Sequence, residues 1–224
     1  GGIIGISIDE GDHLIGVCLV KRGDEVILST RNGMAIRFSQ ADARPIGRNA
    51  RGVKGIKLSK DDAVVGMVVA DPEGLLLTVC ENGFGKRTPF GANSPEPTGE
   101  VADDTVAEES EPEVVDEAEE AGSDPSTMRY RLQRRGGKGV KDVRVTAKNG
   151  KVIGIEDVRD GDEIMFITAQ GMVTRSKVDD IRIVGRNTQG VKVMTMNDGD
   201  KIVTLAKVAR DNVSDTAVAK VEGA

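Results

Sequence analysis

The sequence predicts an all-β chain made of repeats of about 50 residues, each a four-stranded, propeller-like blade. Three observations carry this reading. Segments recur at a fixed offset: Gly2-Ile3-Ile4-Gly5-Ile6 matches Gly52-Val53-Lys54-Gly55-Ile56, and the match runs on without a gap to Leu14-Ile15-Gly16 against Val64-Val65-Gly66. Asn32-Gly33 matches Asn82-Gly83 at the same spacing. Apolar residues alternate in short runs, and no stretch keeps a 3.6-residue period over a repeat, which argues against helical and leucine-rich repeats. Glycine is abundant at 28 residues and falls at recurring places, as a fold rich in tight turns requires.

The elements follow in order. A half unit spans 2–20, and full units span 24–70, 75–158 and 162–208, together one repeat domain over 1–208. In the first full unit, alternating runs from Glu25 to Thr30 and from Met34 to Phe38 flank Asn32-Gly33, a hairpin signal because both turn positions need positive φ. Val53 to Leu58 and Ala63 to Val69 supply two more strands. The second unit turns at Asn82-Gly83 and restarts at Gly139-Val140-Lys141; the third turns at Gln170-Gly171 and restarts at Gly190-Val191. Between Ser94 and Thr127 lie 13 acidic residues, four prolines and no Lys or Arg. This segment cannot bury enough apolar surface to order itself and reads as a disordered acidic insertion. Residues 211–224 read as a flexible tail, and the start at Gly1, inside a repeat, reads as that of a fragment.

The net charge of −6 conceals two populations. When the insertion's 13 acids are set aside from the 37, the 24 that remain face 31 basic residues, a net of +7. The cations fall in registers. Four residues before the central glycines Gly52, Gly139 and Gly190 stand Arg48, Arg135 and Arg186; one residue before stand Arg51, Lys138 and Gln189. Four residues after the hairpin glycines Gly33, Gly83 and Gly171 stand Arg37, Arg87 and Arg175. Equivalent positions in a circular stack share a face, so these registers predict a curved basic belt. Such a belt suits a polyanion with evenly repeating charge, and duplex DNA is one, held mainly through phosphates and without sequence preference. The insertion, tethered beside Lys86-Arg87 and Arg129-Tyr130-Arg131, either competes with DNA for the same cations or is a passive loop.

Other functions find little support. With no Trp, one Tyr and four Phe, stacking on single-stranded bases is a poor fit. Cys18 and Cys80 sit in apolar runs and read as reduced core residues. His13, the only histidine, reads as a surface turn residue, and pairs such as Asp61-Asp62 and Asp179-Asp180 as solvated turns. No catalytic constellation, metal site or cofactor site is legible, and no apolar run is long enough to span a membrane.

The middle copy is distinctive: after Arg131 it reads Gln133-Arg134-Arg135-Gly136-Gly137-Lys138-Gly139, with three cations and three glycines within the six residues 134–139. Glycines let backbone approach phosphate and leave amides free to bind it. This heptad resembles the gyrase-A box, the signature of the C-terminal domain of DNA gyrase A. The stretches Asn82-Gly83-Phe84-Gly85-Lys86-Arg87-Thr88 and Ile183 to Val191 are similar to late repeats of that domain. The resemblance implies a six-bladed β-pinwheel whose units exchange strands, of which this chain covers roughly the last three and a half blades. It further implies wrapping of duplex DNA on the rim in support of ATP-dependent negative supercoiling, gyrase B and a second copy of gyrase A as partners, and a bacterial, nucleoid-associated place in the cytoplasm. The catalytic residues of that enzyme lie outside this chain. The box stands in the next-to-last unit here, whereas the family pattern puts it in the first blade. The related C-terminal domain of topoisomerase IV and a propeller-like protein-interaction scaffold are the alternatives; the first typically lacks a clear box, and the second predicts a mixed rather than a basic rim.

Overall fold

The Asn32-Gly33 turn folds β1 (Glu25–Thr30) antiparallel onto β2 (Met34–Ser39), with Glu25 opposite Ser39 and Ser29 opposite Ala35. Both faces of this hairpin are buried, Ile27 and Ile36 completely. That is why its runs are apolar on both faces. The computed structural model describes residues 2–47, 50–93 and 125–208. Within them β3 (Val64–Val69) pairs with the free side of β1, and β4 (Leu75–Cys80) with β5 (Phe84–Pro89) forms the second hairpin.

The chain does not then complete the second blade directly. It re-enters through a 3-10 turn at Pro125–Met128, and β6 (Val140–Lys141) pairs with β2 of the preceding unit, Lys141 opposite Met34 and Val140 opposite Ala35. Only afterwards does β7 (Val152–Val158) return to pair with β4. The third unit repeats the move: β8 (Glu163–Thr168) and β9 (Val173–Lys177) form the hairpin, β10 (Val191–Lys192) crosses back to β5, and β11 (Ile202–Lys207) pairs with β8. The sheets run β3-β1-β2-β6, β10-β5-β4-β7 and β11-β8-β9. The all-β, strand-exchanging blade architecture is thus as expected. The expected local fourth strand is not: Val53–Leu58 forms none, and the fourth strand of each of the first two sheets comes from the following unit. β9 carries no such strand among the described residues, so its sheet has three.

β7 packs against both β3 and β11, so these strands converge on the inner side of the stack. A Cβ on Gly66 of β3 would lie 3.0 Å from Ile155 Cγ1, and glycine there lets the strands close up. The opposite edges, β6 and β10, therefore lie on the outer rim. Core clusters fill the seams between blades. One gathers Ile27, Leu76, Phe90 and Tyr130, with the two rings 6.5 Å apart; another gathers Leu77, Ile164, Phe166 and Ile202.

Residues 2–20 form no strand, and Ile3, Ile4, Leu14, Val17 and Leu19 are exposed. Their counterparts in the next unit, 64–69, are ordered as a strand by pairing with a hairpin, and no hairpin faces 14–20 among the described residues. Cys18 lies in this half-exposed stretch rather than in a core, whereas Cys80 is buried. The tail 211–224, and the insertion from 94 to 124, fall outside the described residues.

The exchanged strand also explains which hairpin glycine is irreplaceable. Gly83 and Gly171 occupy the same turn at φ +81° and +85°. A Cβ on Gly83 would meet Met194 O of the exchanged segment at 2.5 Å, and one on Gly171 would meet nothing within 4 Å. Both alanine variants carry the left-handed backbone cost of about 1–2 kcal/mol. Gly83→Ala adds the overlap, and urea unfolding should show it destabilised beyond Gly171→Ala; equal costs would show that no close approach exists there.

Candidate nucleic-acid interface

The three segments 50–57, 130–144 and 182–192, each following a hairpin, lie side by side along the rim. The amide of Gly136 donates to Gly55 O and that of Lys57 to Gly137 O, both at 2.8 Å. Further on, the amide of Asn187 donates to Asp142 O at 2.7 Å and that of Arg144 to Thr188 O at 3.0 Å. Successive segments are stitched into one ribbon by their backbones.

On this ribbon the position two residues after each central glycine is a lysine: Lys54, Lys141 and Lys192. All three are exposed, two of them on the outermost strands β6 and β10, and no ion pair engages them among the described residues. Sequence reasoning missed this register, although the recurring Gly-Val-Lys carries it. Arg134 and Lys138 of the basic turn are likewise exposed with no side-chain partner among the described residues, and Arg131 is exposed beside them. Gln133 is half-buried, its amide donating to Arg37 O at 2.8 Å.

The other cations of the first register do two things at once. Arg135 donates through Nε to Asp42 O at 2.8 Å and through Nη1 to Lys54 O at 2.5 Å. Arg186 donates through Nε to Arg129 O at 2.8 Å and through Nη2 to Ser126 O at 3.0 Å. Each ties its segment to its neighbour while staying only half-buried, with positive charge on the rim. Arg51 is exposed and lies 3.2 Å from Asp9; Arg48 falls outside the described residues. The glycines of the basic turn act differently from expectation. The amide of Gly136 is taken by Gly55 O and that of Gly137 by Arg134 O at 3.3 Å, so neither is free for phosphate. Gly139, at φ +82°, is where the segment meets the neighbouring blade: a Cβ there would lie 2.5 Å from Ala35 O.

The hairpin register of arginines does not form a belt. Arg37 is buried, ion-paired to Glu25, and donates to Phe90 O at 2.6 Å, Tyr130 O at 3.0 Å and Asn93 Oδ1 at 2.7 Å. Arg87 is buried too, donating to Ile181 O at 2.7 Å and to Asp160 Oδ1 at 2.6 Å. Burial pulls the Arg37 guanidinium below its ordinary value, and Glu25 opposes this. Arg37 and Arg87 do share one environment, but it is the seam under the exchanged segment. Arg175 is exposed and paired with Glu163, and among the described residues no exchanged segment covers β9. Asp62 and Asp179 are also structural: Asp62 accepts from the amide of Asn32 at 2.9 Å, and Asp179 from that of Gly161.

Tyr130 is buried, and its hydroxyl donates to Asp142 Oδ1 at 2.7 Å. Burial, and then the Asp142 carboxylate, push the phenol well above its usual value, so it stays a neutral donor that packs and does not reach the surface. Burial pushes the Cys80 thiol up to about 12, which leaves it inert at neutral pH. No group of acidic, Cys or His side chains suited to a metal occurs among the described residues, and no helix among them is long and apolar enough to cross a membrane.

A family model described as the DNA gyrase C-terminal domain, beta-propeller, matches residues 1–21, 24–71, 129–159 and 162–209. The chain belongs to the DNA gyrase C-terminal domain family. Its curated relatives include the DNA gyrase A protein of Salmonella typhimurium, 36% identical over 177 residues, and that of Haloquadratum walsbyi, 37% identical over 180 residues. These alignments cover 79% and 80% of this chain but only 16% and 17% of the relatives, so the chain spans about a sixth of their length. Among solved structures, a DNA gyrase A C-terminal domain superposes with a TM-score of 0.71 at 22% identity, over 93% of this chain and 58% of that one. The C-terminal domain of DNA topoisomerase IV gives 0.70 at 21% identity, over 91% and 52%. These two likenesses establish the shared fold and do not separate gyrase from topoisomerase IV. Within this gyrase C-terminal domain the family match leaves out 72–128, the β4-β5 hairpin together with the acidic insertion, and includes 50–57, 130–144 and 182–192 of the rim ribbon.

Proposed function

We propose that this chain binds duplex DNA along the rim ribbon and bends it there, as the DNA-wrapping element of a gyrase A protein. The observation that carries the reading is the recurrence of exposed lysine at one register of three adjoining segments, Lys54, Lys141 and Lys192, with Arg134 and Lys138 beside them. Bending DNA over a short length costs several kcal/mol, and a ribbon that meets successive phosphates offsets that cost a little at each blade. The contacts are to backbone phosphate, so binding is largely indifferent to sequence. In this reading the chain supports the negative supercoiling of an ATP-hydrolysing type IIA topoisomerase and works with gyrase B and a second copy of gyrase A. Strand cleavage and ATP hydrolysis belong to other parts of that enzyme. The box heptad at 133–139 favours gyrase over topoisomerase IV.

Salt dependence tests it. If roughly six to eight phosphates are neutralised, log K against log[salt] for a long duplex should fall with a slope of about −5 to −7. A slope near zero would replace DNA binding with a protein-interaction scaffold.

A further inference from the structure

One polar cluster is sealed inside the stack and plays no part in the rim chemistry. Lys86 of β5 is 0% exposed, and its Nζ meets three acceptors: Asp142 O at 2.7 Å, Asp142 Oδ1 at 3.0 Å and Gly185 O at 3.0 Å. An ammonium has three N–H groups, so each is used. Asp142, 1% exposed, also accepts from Tyr130 Oη and, through Oδ2, from Thr78 Oγ1 at 2.8 Å. The cluster is fully satisfied and belongs to one unit only. The register of Lys86 holds Ile36 in the first unit and Thr174 in the third; that of Asp142 holds Gly55 and Val193. Elsewhere the fold does without the ion pair, so the architecture does not require it. A buried ion pair is also weak as a source of stability, because desolvation of both charges cancels much of the attraction.

What the pair touches gives it another role. Asp142 directly follows rim residue Lys141, and Gly185 directly precedes rim residue Arg186. Lys86 therefore grips two successive exchanged segments, each at the residue adjoining a rim cation. The amides of Asn187 and Arg144 already join the two segments along one line, donating to Asp142 O and Thr188 O. A buried lysine reaching both segments from β5 adds a point of attachment off that line, which fixes the angle between them where a single seam of bonds could act as a hinge. We propose that Lys86, acting through Asp142 and Gly185, is a positioning residue that sets the curvature of the rim between the first and second blades, and hence the path that bound duplex follows. The proposal rests on the DNA-wrapping reading for its consequence but not for its geometry.

The test uses this chain with Cys18→Ser, since Cys80 is too deeply buried to label, and spin labels at Lys141→Cys and Lys192→Cys. The single variant Lys86→Ile leaves a buried uncompensated Asp142. A second variant therefore replaces the whole cluster by apolar residues (Lys86→Ile, Thr78→Val, Tyr130→Phe, Asp142→Val), a kind of exchange that is often neutral for folding. The expected result is loss of the narrow label-to-label distance distribution in the folded quadruple variant. In unlabelled protein with the rim lysines intact, affinity for a duplex of one helical turn should be unchanged. The linking-number shift imposed on closed circular DNA, read after relaxation with a type I topoisomerase, should be lost. A distribution as narrow as the parent's overturns the proposal, and so does a quadruple variant that fails to fold, which would make the cluster a stabilising element. Equal losses on short and circular DNA overturn it as well. A parent chain that shifts no linking number overturns the wrapping reading instead, and the distance measurement then decides the role of Lys86 by itself.

Discussion

Replacing Lys54, Lys141 and Lys192 together by alanine is expected to weaken duplex binding by roughly 10²–10³-fold at about 0.1 M salt, with little change in stability. Each phosphate contact contributes about 0.9 to the salt slope through counterion release, so three lost contacts should flatten it by about 2.7. The three side chains are exposed and make no ion pair among the described residues, so their removal takes away charge and little else. Exposed substitutions of this kind usually stay within about 0.5 kcal/mol. Binding isotherms at several salt concentrations, beside urea unfolding followed by far-UV circular dichroism, separate the two effects. A triple variant with the parent's slope would show that DNA passes elsewhere and would remove the observation on which the functional reading rests.

The second large effect is expected in stability. Arg37→Leu should cost about 3–5 kcal/mol, the range for breaking a buried ion pair by removing one partner. Glu25 would stay behind as a buried charge, and the carbonyls of Phe90 and Tyr130 would lose the donor that now joins them. These carbonyls stand on either side of the acidic insertion, so Arg37 reinforces a junction that the Tyr130 amide also makes by donating to Phe90 O at 3.1 Å. A loss of that size is a large share of the 5–15 kcal/mol typical of a folded domain. Arg175→Leu, at the same register, should cost no more than about 1 kcal/mol, because its pair with Glu163 is solvent-exposed. Similar losses at the two sites would contradict the assignment of Arg37 to a sealed seam.

The alternation of Glu25–Thr30, the Asn-Gly turns and the 50-residue offset are local signals, and they led directly to the hairpins β1-β2 and β4-β5 and to the all-β class. The basic turn at 134–138 was legible for the same reason: its charges are near one another in the chain. The misjudged residues depend on partners far along it. Arg37 and Arg87 looked like rim cations because register shows that positions are equivalent without showing what covers them.

By itself the sequence determined the repeat, the turn positions, the strand-forming runs and the concentration of positive charge outside the acidic insertion, since each follows from the chemistry of neighbouring residues. Only the tertiary structure decided that β6 and β10 leave their own units to close the preceding sheets. That choice rests on backbone pairing between residues about 100 positions apart, Lys141 with Met34 and Lys192 with Phe84. It also decided which cations meet solvent. An exchanged segment laid over β2 and β5 turns the hairpin arginines into buried donors for backbone carbonyls, those of Phe90 and Tyr130 for Arg37 and that of Ile181 for Arg87. The same segment lifts Lys141 and Lys192 to the outermost edge, where no further strand covers them among the described residues.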